Sequence, residues 1–384
     1  MYKISIILPT FNVKNYLKRA LDSLKSQTIG FDNLQIIFVD DCSTDGSREV
    51  IDEYAKQYDN IFSIHLKNNS GSAGKPRTEG IKFALADYVM FLDPDDALME
   101  NSCEVLYDRI SNYDVDIVVG GYRKDDWFAN WTSTSDLKES LIINPPQNMS
   151  IFMNPPGLAA KIFKKELITK NNISFYTRIP AEDLIFLTEC YLNANSILSL
   201  NDFIVYRYYV RKDKGNESVT NSVTKEYMYE ILDAYNITLD LMETFNVDDI
   251  LKTVYFAGAH ISFFVRQLNS ANLTETELKE YFNSERFLKF RNYNYIISNN
   301  ELNNFFERLI KNPSIINTDE LIPIFEKSKK LFISSDKYIP ETEPILIKNN
   351  NIDEDEDLRN INKKLYHLLK QTSIITNYIN DLNK

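Results

Sequence analysis

The chain has 384 residues, 43% hydrophobic and 26% charged, with a formal net charge of -12. That size and balance suit a soluble globular protein with one large domain and an appendage. The acidic excess excludes general nucleic-acid binding and leaves anionic polymers only a local basic patch to bind.

The opening MYKISIILPTFN is short, is interrupted by Pro9 and has no small-residue cleavage site after it. It reads as a strand and a turn, not as a secretory signal. No segment approaches the roughly eighteen uninterrupted apolar residues that span a bilayer. Cys42, Cys103 and Cys190 are too few and too far apart for a disulfide framework or a zinc site. The expectation is a cytoplasmic protein with reduced thiols, free to work at the inner face of the membrane.

Five apolar runs rich in β-formers follow one another: Ile4 to Leu8, Leu34 to Val39, Ile61 to Leu66, Tyr88 to Leu92 and Val115 to Val119. Their lack of polar alternation fits strands of a largely parallel sheet covered on both faces. Between them, Val13, Leu17, Leu21 and Leu24 share one helical face, as do Val50, Ile51, Tyr54 and Tyr58, and then Ile81, Ala84 and Leu85. The spacing predicts a doubly wound α/β fold, whose ligand site lies beyond the carboxyl ends of the strands.

From 121 to 225 the pattern is irregular, with paired prolines and a strand-like FIVYRYYV from Phe203 to Val210. This gives a first domain over 1–225, with a nucleotide-binding half (1–120) and an acceptor half (121–225). A mainly helical region comes next over 226–330, then an acidic, proline-bearing linker over 331–357. In 358–384, Leu358, Ile361, Leu365, Leu368, Thr372, Ile375, Ile379 and Leu382 keep alternating three and four spacing. Those a and d positions describe either an amphipathic helix docked on its own domain or a coiled coil; the unbroken heptads favour self-association as a dimer or trimer.

Four polar clusters fall at expected strand or helix ends. FLDPDD at 91–96 places Asp93, Asp95 and Asp96 directly after an apolar run. Carboxylates so close repel unless they face water or hold a cation, and hard oxygen ligands suit Mg²⁺ or Mn²⁺. Asp96 also stands where it could cap a helix containing Leu98, Leu106 and Ile110. In FVDDCSTDGS, Ser43, Thr44 and Asp45 suit helix capping, which does not require Asp40 and Asp41; a carboxylate there could accept a uracil imide N–H. LKNNSGSAGKPRTEG places Lys75 and Arg77 after a glycine-bearing loop and before a helix, an arrangement for phosphate that a plain surface loop would also show. AEDLIFLTECYLNAN starts a helix with Glu182 and Asp183, either as dipole compensation or as a general base.

In that order and at those intervals, SIILPTFN, FVDDCSTD, NNSGSAGKPR, FLDPDD and AED resemble the inverting glycosyltransferases of family two with a GT-A fold, over roughly residues 1 to 215. NNSGSAGKPRTEG and AEDLIFLTECYLNAN look most like wall teichoic acid glycosyltransferases of staphylococci, which attach N-acetylglucosamine to poly(ribitol phosphate). The resemblance implies a Rossmann-like GT-A domain and a UDP-sugar donor. Pro9, Thr10 and Asp41 would contact the uridine, and Asn68 and Arg77 would sit by the nucleotide and its diphosphate, with Lys75 helping to stabilise departing UDP. Asp93 and Asp95 would hold donor and Mn²⁺ or Mg²⁺, with Asp96 a further ligand. Asp183 would be the base and Glu182 a neighbour that orients it.

Two positions depart from the family pattern: Pro94 stands where Ser is commoner, and Leu184 where Gln often follows AED. Arg207, Arg211, Lys212 and Lys214 could grip acceptor phosphates or form a solvated loop, and His260 lies in an apolar run as a core residue or an acceptor contact. The alternative functions are a transferase for capsular or exopolysaccharide or for protein glycosylation, and, from another class, an inactive sugar-nucleotide or glycan-binding scaffold.

Overall fold

The computed structural model describes residues 1–124, 139–143, 157–209, 223–255 and 261–292, with isolated positions between 304 and 311. Strands β1 (Ile4–Thr10), β2 (Leu34–Asp40), β3 (Ile61–His65) and β4 (Tyr88–Phe91) run parallel in the order β3-β2-β1-β4. Ile4, Ile6 and Leu8 of β1 enter one core and Ile7 the core on the opposite face. Burial on both faces is why the sequence shows apolar runs instead of alternation.

Helices α1 (Leu17–Lys25), α2 (Ser47–Gln57) and α3 (Gly74–Phe83) make the connections. Leu17, Leu21 and Leu24 bury the expected stripe of α1. The expectation fails at Leu85. Helix α3 ends at Phe83 with Ala84 extended, so Leu85 lies past the helix and is 62% exposed. Gly80 lets α3 settle on the sheet, since a Cβ there would stand 2.5 Å from the Ile7 side chain.

Next come β5 (Ala97–Leu98), α4 (Ser102–Tyr113), β6 (Ile117–Lys124), β7 (Glu139–Ile143) and β8 (Lys161–Lys164). Helix α5 (Lys165–Lys170), helix α6 (Glu182–Asn193) and the long strand β9 (Ser196–Tyr208) complete this part. Leu98 therefore belongs to a short strand, and the helix expected after Asp96 starts only at Ser102. Strand β8 inserts antiparallel between β4 and β6, so the sheet is mixed.

Helix α6 lies on that sheet through Phe186, whose ring stacks on Phe175 at 3.9 Å and meets Phe91 and Phe163 edge-on. Truncating a phenylalanine so packed costs about 3–5 kcal/mol. The other side of α6, through Leu184 and Leu192, joins a separate core made by α7 (Lys225–Thr244), α8 (Asp249–Tyr255), α9 (Ile261–Ser270), α10 (Glu275–Phe282) and α11 (Glu285–Asn292). This part of the chain is helical, as its periodicity predicts. Helix α6 is thus clamped between two cores, which fixes its first turn.

Among the described residues no helix is long and apolar enough to cross a membrane. The acidic linker, the heptad segment, Arg211, Lys212, Lys214 and His260 lie outside the described residues.

Candidate active site

The carboxyl ends of β1, β2 and β4 lie side by side. Asp41 N–H donates to the Thr10 carbonyl at 2.8 Å, joining the turn after β1 to the end of β2. The Asp41 carboxylate accepts from Ser70 N at 2.9 and 3.0 Å and from Ser70 Oγ at 2.9 Å. Asn69 Nδ2 reaches the Asp41 carbonyl at 3.0 Å. Asp41 thereby pins the loop that precedes α3. Burial raises its pKa, against the Ser70 hydrogen bonds and nearby Lys75. Pro9 and Thr10 are buried, whereas Asn68 and Lys75 are exposed. Asp40 is committed locally: one oxygen accepts from Ser43 N at 3.1 Å, and the other lies 3.5 Å from His65, which also contacts Asp52 at 2.8 Å.

Helix α3 begins against the segment that leads to α6. A Cβ at Gly74 would stand 2.3 Å from the Tyr176 carbonyl, so only glycine permits the approach. Three residues on, buried Arg77 donates to Asp93 Oδ1 at 2.9 Å and to Glu182 Oε1 at 2.9 Å, with Phe175 under its guanidinium. Burial opposes its charge, but Asp93, Glu182 and Asp183 outweigh that, and its pKa is raised. The sequence reading placed Arg77 at a diphosphate; the structure gives its guanidinium to the two carboxylate clusters.

Within 93–96 the three aspartates have different surroundings. Asp96 N donates to the Asp93 carbonyl at 3.0 Å, closing a turn that Pro94 stiffens. The Asp93 side chain is 43% exposed. Asp96 is 1% exposed and accepts from Tyr206 Oη at 2.7 Å and from Tyr209 N at 2.8 Å. Tyr206 Oη also accepts from Asp93 N at 3.2 Å. Burial, with Asp93 and Asp95 beside it, pushes the Asp96 pKa up to about 8. Both Asp96 oxygens accept hydrogen bonds from the end of β9, and the helix begins only at Ser102 after Asn101, which corrects the expectation of a helix cap at Asp96. Arg19 donates to the Asp95 carbonyl and lies 3.8 Å from the Tyr209 ring; Arg207 lies 5.1 Å from the same ring.

Glu182 and Asp183 form the first turn of α6 after Ala181, which has a left-handed φ of 61°. Asp183 keeps some accessible surface while lying deep among protein atoms. Burial raises the pKa of both carboxyls, and Arg77 opposes the shift. Carboxyls whose proton affinity is raised in this way suit proton exchange, as a general base requires.

Among the described residues no three metal-ligating side chains converge. Asp93 and Asp95 nevertheless fit a hard divalent ion, because Mg²⁺ and its like are held by one or two carboxylates plus substrate phosphates. The sequence reading missed Tyr206, Arg19 and Lys161. Tyr206 could have been suspected from the period of FIVYRYYV, and Lys161 from the apolar residues on both its sides. Arg19, on the polar side of an amphipathic helix, leaves no such trace.

Residues 5–166 match the family model described as Glycosyl transferase family 2. A poly(ribitol-phosphate) beta-glucosyltransferase of Bacillus spizizenii is 30% identical over 289 residues, 73% of this chain and 44% of that protein. The poly(ribitol-phosphate) beta-N-acetylglucosaminyltransferase TarP of Staphylococcus aureus is 32% identical over 241 residues, 61% of this chain and 72% of its own length. A crystal structure of S. aureus TarS 1-349 superposes with a TM-score of 0.63 at 22% identity, covering 86% of this chain and 92% of that one, which shows a shared fold. The chain spans under half the length of the Bacillus protein and, at 45%, of full TarS.

Proposed function

The chain belongs to glycosyl transferase family 2, and from that premise we propose that it moves a sugar from a UDP-sugar to a hydroxyl of poly(ribitol phosphate), inverting the anomeric carbon. The observation that carries this reading is the Arg77 bridge. It gathers the DPDD turn and the AED helix into one cluster although Arg77 and Glu182 are 105 residues apart in sequence. A metal-and-donor motif and a base motif are useful together only when they meet.

In the proposed step, Asp183 accepts the proton of the acceptor hydroxyl as its oxygen attacks the anomeric carbon from the face opposite UDP. A carbon–oxygen bond to the acceptor forms while the bond to the diphosphate oxygen breaks, and UDP departs with that electron pair. In this reading Pro9, Thr10 and Asp41, together at the ends of β1 and β2, would contact the uridine. Exposed Lys75 and the backbone N–H groups at the start of α3 suit the diphosphate. Asp93 and Asp95 would hold Mn²⁺ or Mg²⁺, which supplies charge neutralisation for the leaving diphosphate. Arg77 orients Asp93 and Glu182. Arg207 is the basic group, among those expected at the acceptor, that the described residues contain.

N-acetylglucosamine is the proposed sugar, on the strength of the activity by which TarP is named and the resemblance of the AED segment. The test is thermal unfolding with UDP-, GDP-, CMP- and TDP-sugars, with and without Mn²⁺, followed by transfer to poly(ribitol phosphate). Stabilisation by UDP-N-acetylglucosamine only with metal, and product on that polymer, are expected. Stabilisation without transfer to this polymer would move the acceptor to a capsular polysaccharide or a protein. Silence with every nucleotide sugar would favour a scaffold.

A further inference from the structure

Asp93, Glu182 and Asp183 are three carboxylates around one guanidinium, that of Arg77. A single guanidinium only partly offsets these carboxylates, two of which lie deep among protein atoms while Asp93 is partly open to water, so a second positive group is expected near the deeper pair. Strand β8 supplies it. Lys161 stands opposite Val119 of β6 and shares a strand face with Phe163, two residues on. Val119 and Phe163 both belong to the core beneath α6, and the Phe163 ring is 6.1 Å from Phe186, one turn after Asp183. Lys161 is 1% exposed, and its Nζ donates to the Gly157 carbonyl at 2.6 Å. Between those residues Ala160 holds a left-handed φ of 62°, a strained conformation for alanine.

On the reading that Asp183 is the base, we infer that Lys161 is a positioning residue for transfer: its buried ammonium sits under the first turn of α6 and keeps Asp183 ionised and ready for the acceptor's proton. The groups facing Asp183 from the surrounding elements are Arg77 of α3, Asp93 after β4, Lys161 of β8, Glu182 beside it, Tyr227 of α7 and Tyr255 of α8. Of these only Arg77 and Lys161 are cationic. Burial lowers the Lys161 pKa to about 7, with Asp183 acting against the shift. Its charge therefore depends on the carboxylate it serves.

The test uses the full chain with Lys161→Met and Lys161→Arg. Without the charge, the acid limb of the transfer rate against pH should move up by about one pH unit; Lys161→Arg should keep it where the wild type has it. A second readout needs no transfer: thermal unfolding of Lys161→Met, Asp183→Asn and the double variant at pH 6 and pH 8. The two substitutions should be non-additive, more so at the lower pH. If Lys161→Met does not fold, Lys161→Gln takes its place. An unmoved limb in a folded variant, or additive midpoint shifts, would overturn the inference. If the wild type transfers no sugar, the functional reading fails by itself and the unfolding cycle alone decides the link between Lys161 and Asp183.

Discussion

The turn at 93–96 and the first turn of α6 both carry adjacent carboxylates, and both are tied to Arg77, yet the protein surrounds them differently. The turn lies at the sheet's carboxyl edge with Asp93 partly open to water, and only Asp96 is sealed in, by Tyr206 and Tyr209. The helix turn is pressed between two cores, and burial raises the proton affinity of both its carboxyls. Open carboxylates can hold a cation, whereas buried ones are better placed to exchange a proton. The same residue type thus serves two ends, set by the depth of its surroundings.

The largest effect that would sharpen this contrast is expected at Asp183. Asp183→Asn should lower transfer by about 10²–10⁴-fold, the share that a positioned base supplies, while donor binding persists. Rates beside calorimetric titration with UDP-sugar check it; equal losses in both would put Asp183 in donor binding instead. Arg77→Ala cuts the link between the clusters and leaves two partly buried carboxylates without their partner. A loss of about 3–5 kcal/mol in urea unfolding is expected. Lysine in its place should recover only part, because it lacks the two-pronged geometry.

Asp95→Asn bears on the open cluster alone. It should abolish the metal-dependent part of donor stabilisation, worth about 2.7 kcal/mol at a hundredfold excess over Kd, and leave the metal-free unfolding midpoint unchanged. A metal-dependent shift that survives the substitution would remove Asp95 from the ion. Tyr206→Phe takes the hydroxyl from between Asp93 N and Asp96, at a cost of about 1–3 kcal/mol. That loss should appear with or without ligand.

The smallest effect is in pH. Because the folded-state pKa of Lys161 is depressed to about 7 from 10.5, the unfolded chain binds its proton more tightly between those values. The stability of the wild type relative to Lys161→Met should rise as pH climbs from about 7 to about 10.5 and be flat below that window. Paired unfolding curves across the range check the sign; a flat difference between pH 7 and about 10.5 would mean that Lys161 stays charged in the folded chain.

Much of the nucleotide half was legible because its signals are local. Strands β1 to β4 are apolar runs buried on both faces, and α1 and α2 carry clear apolar stripes. Strand β8 leaves little local signal, since KIFK is short and bounded by lysines, one of which, Lys161, is buried in the folded chain. The run after Asp96 misled because Leu98 pairs with Tyr206 across β5 and β9, a contact between distant segments. Leu85 misled for a smaller reason, the early end of α3.

By itself the sequence determined the strand and helix periods of the first part of the chain, the helical character of the region after Lys225, and the order of the motifs that mark the family. Those properties depend on neighbours within a few positions. Only the tertiary structure decided that Arg77 serves Asp93 and Glu182, that Asp96 is turned to Tyr206 and Tyr209, and that Lys161 is buried with its ammonium on the Gly157 carbonyl. The reason is physical: a charged side chain takes its proton affinity and its role from burial and from partners that chain folding brings together, and neither is written in adjacent residues.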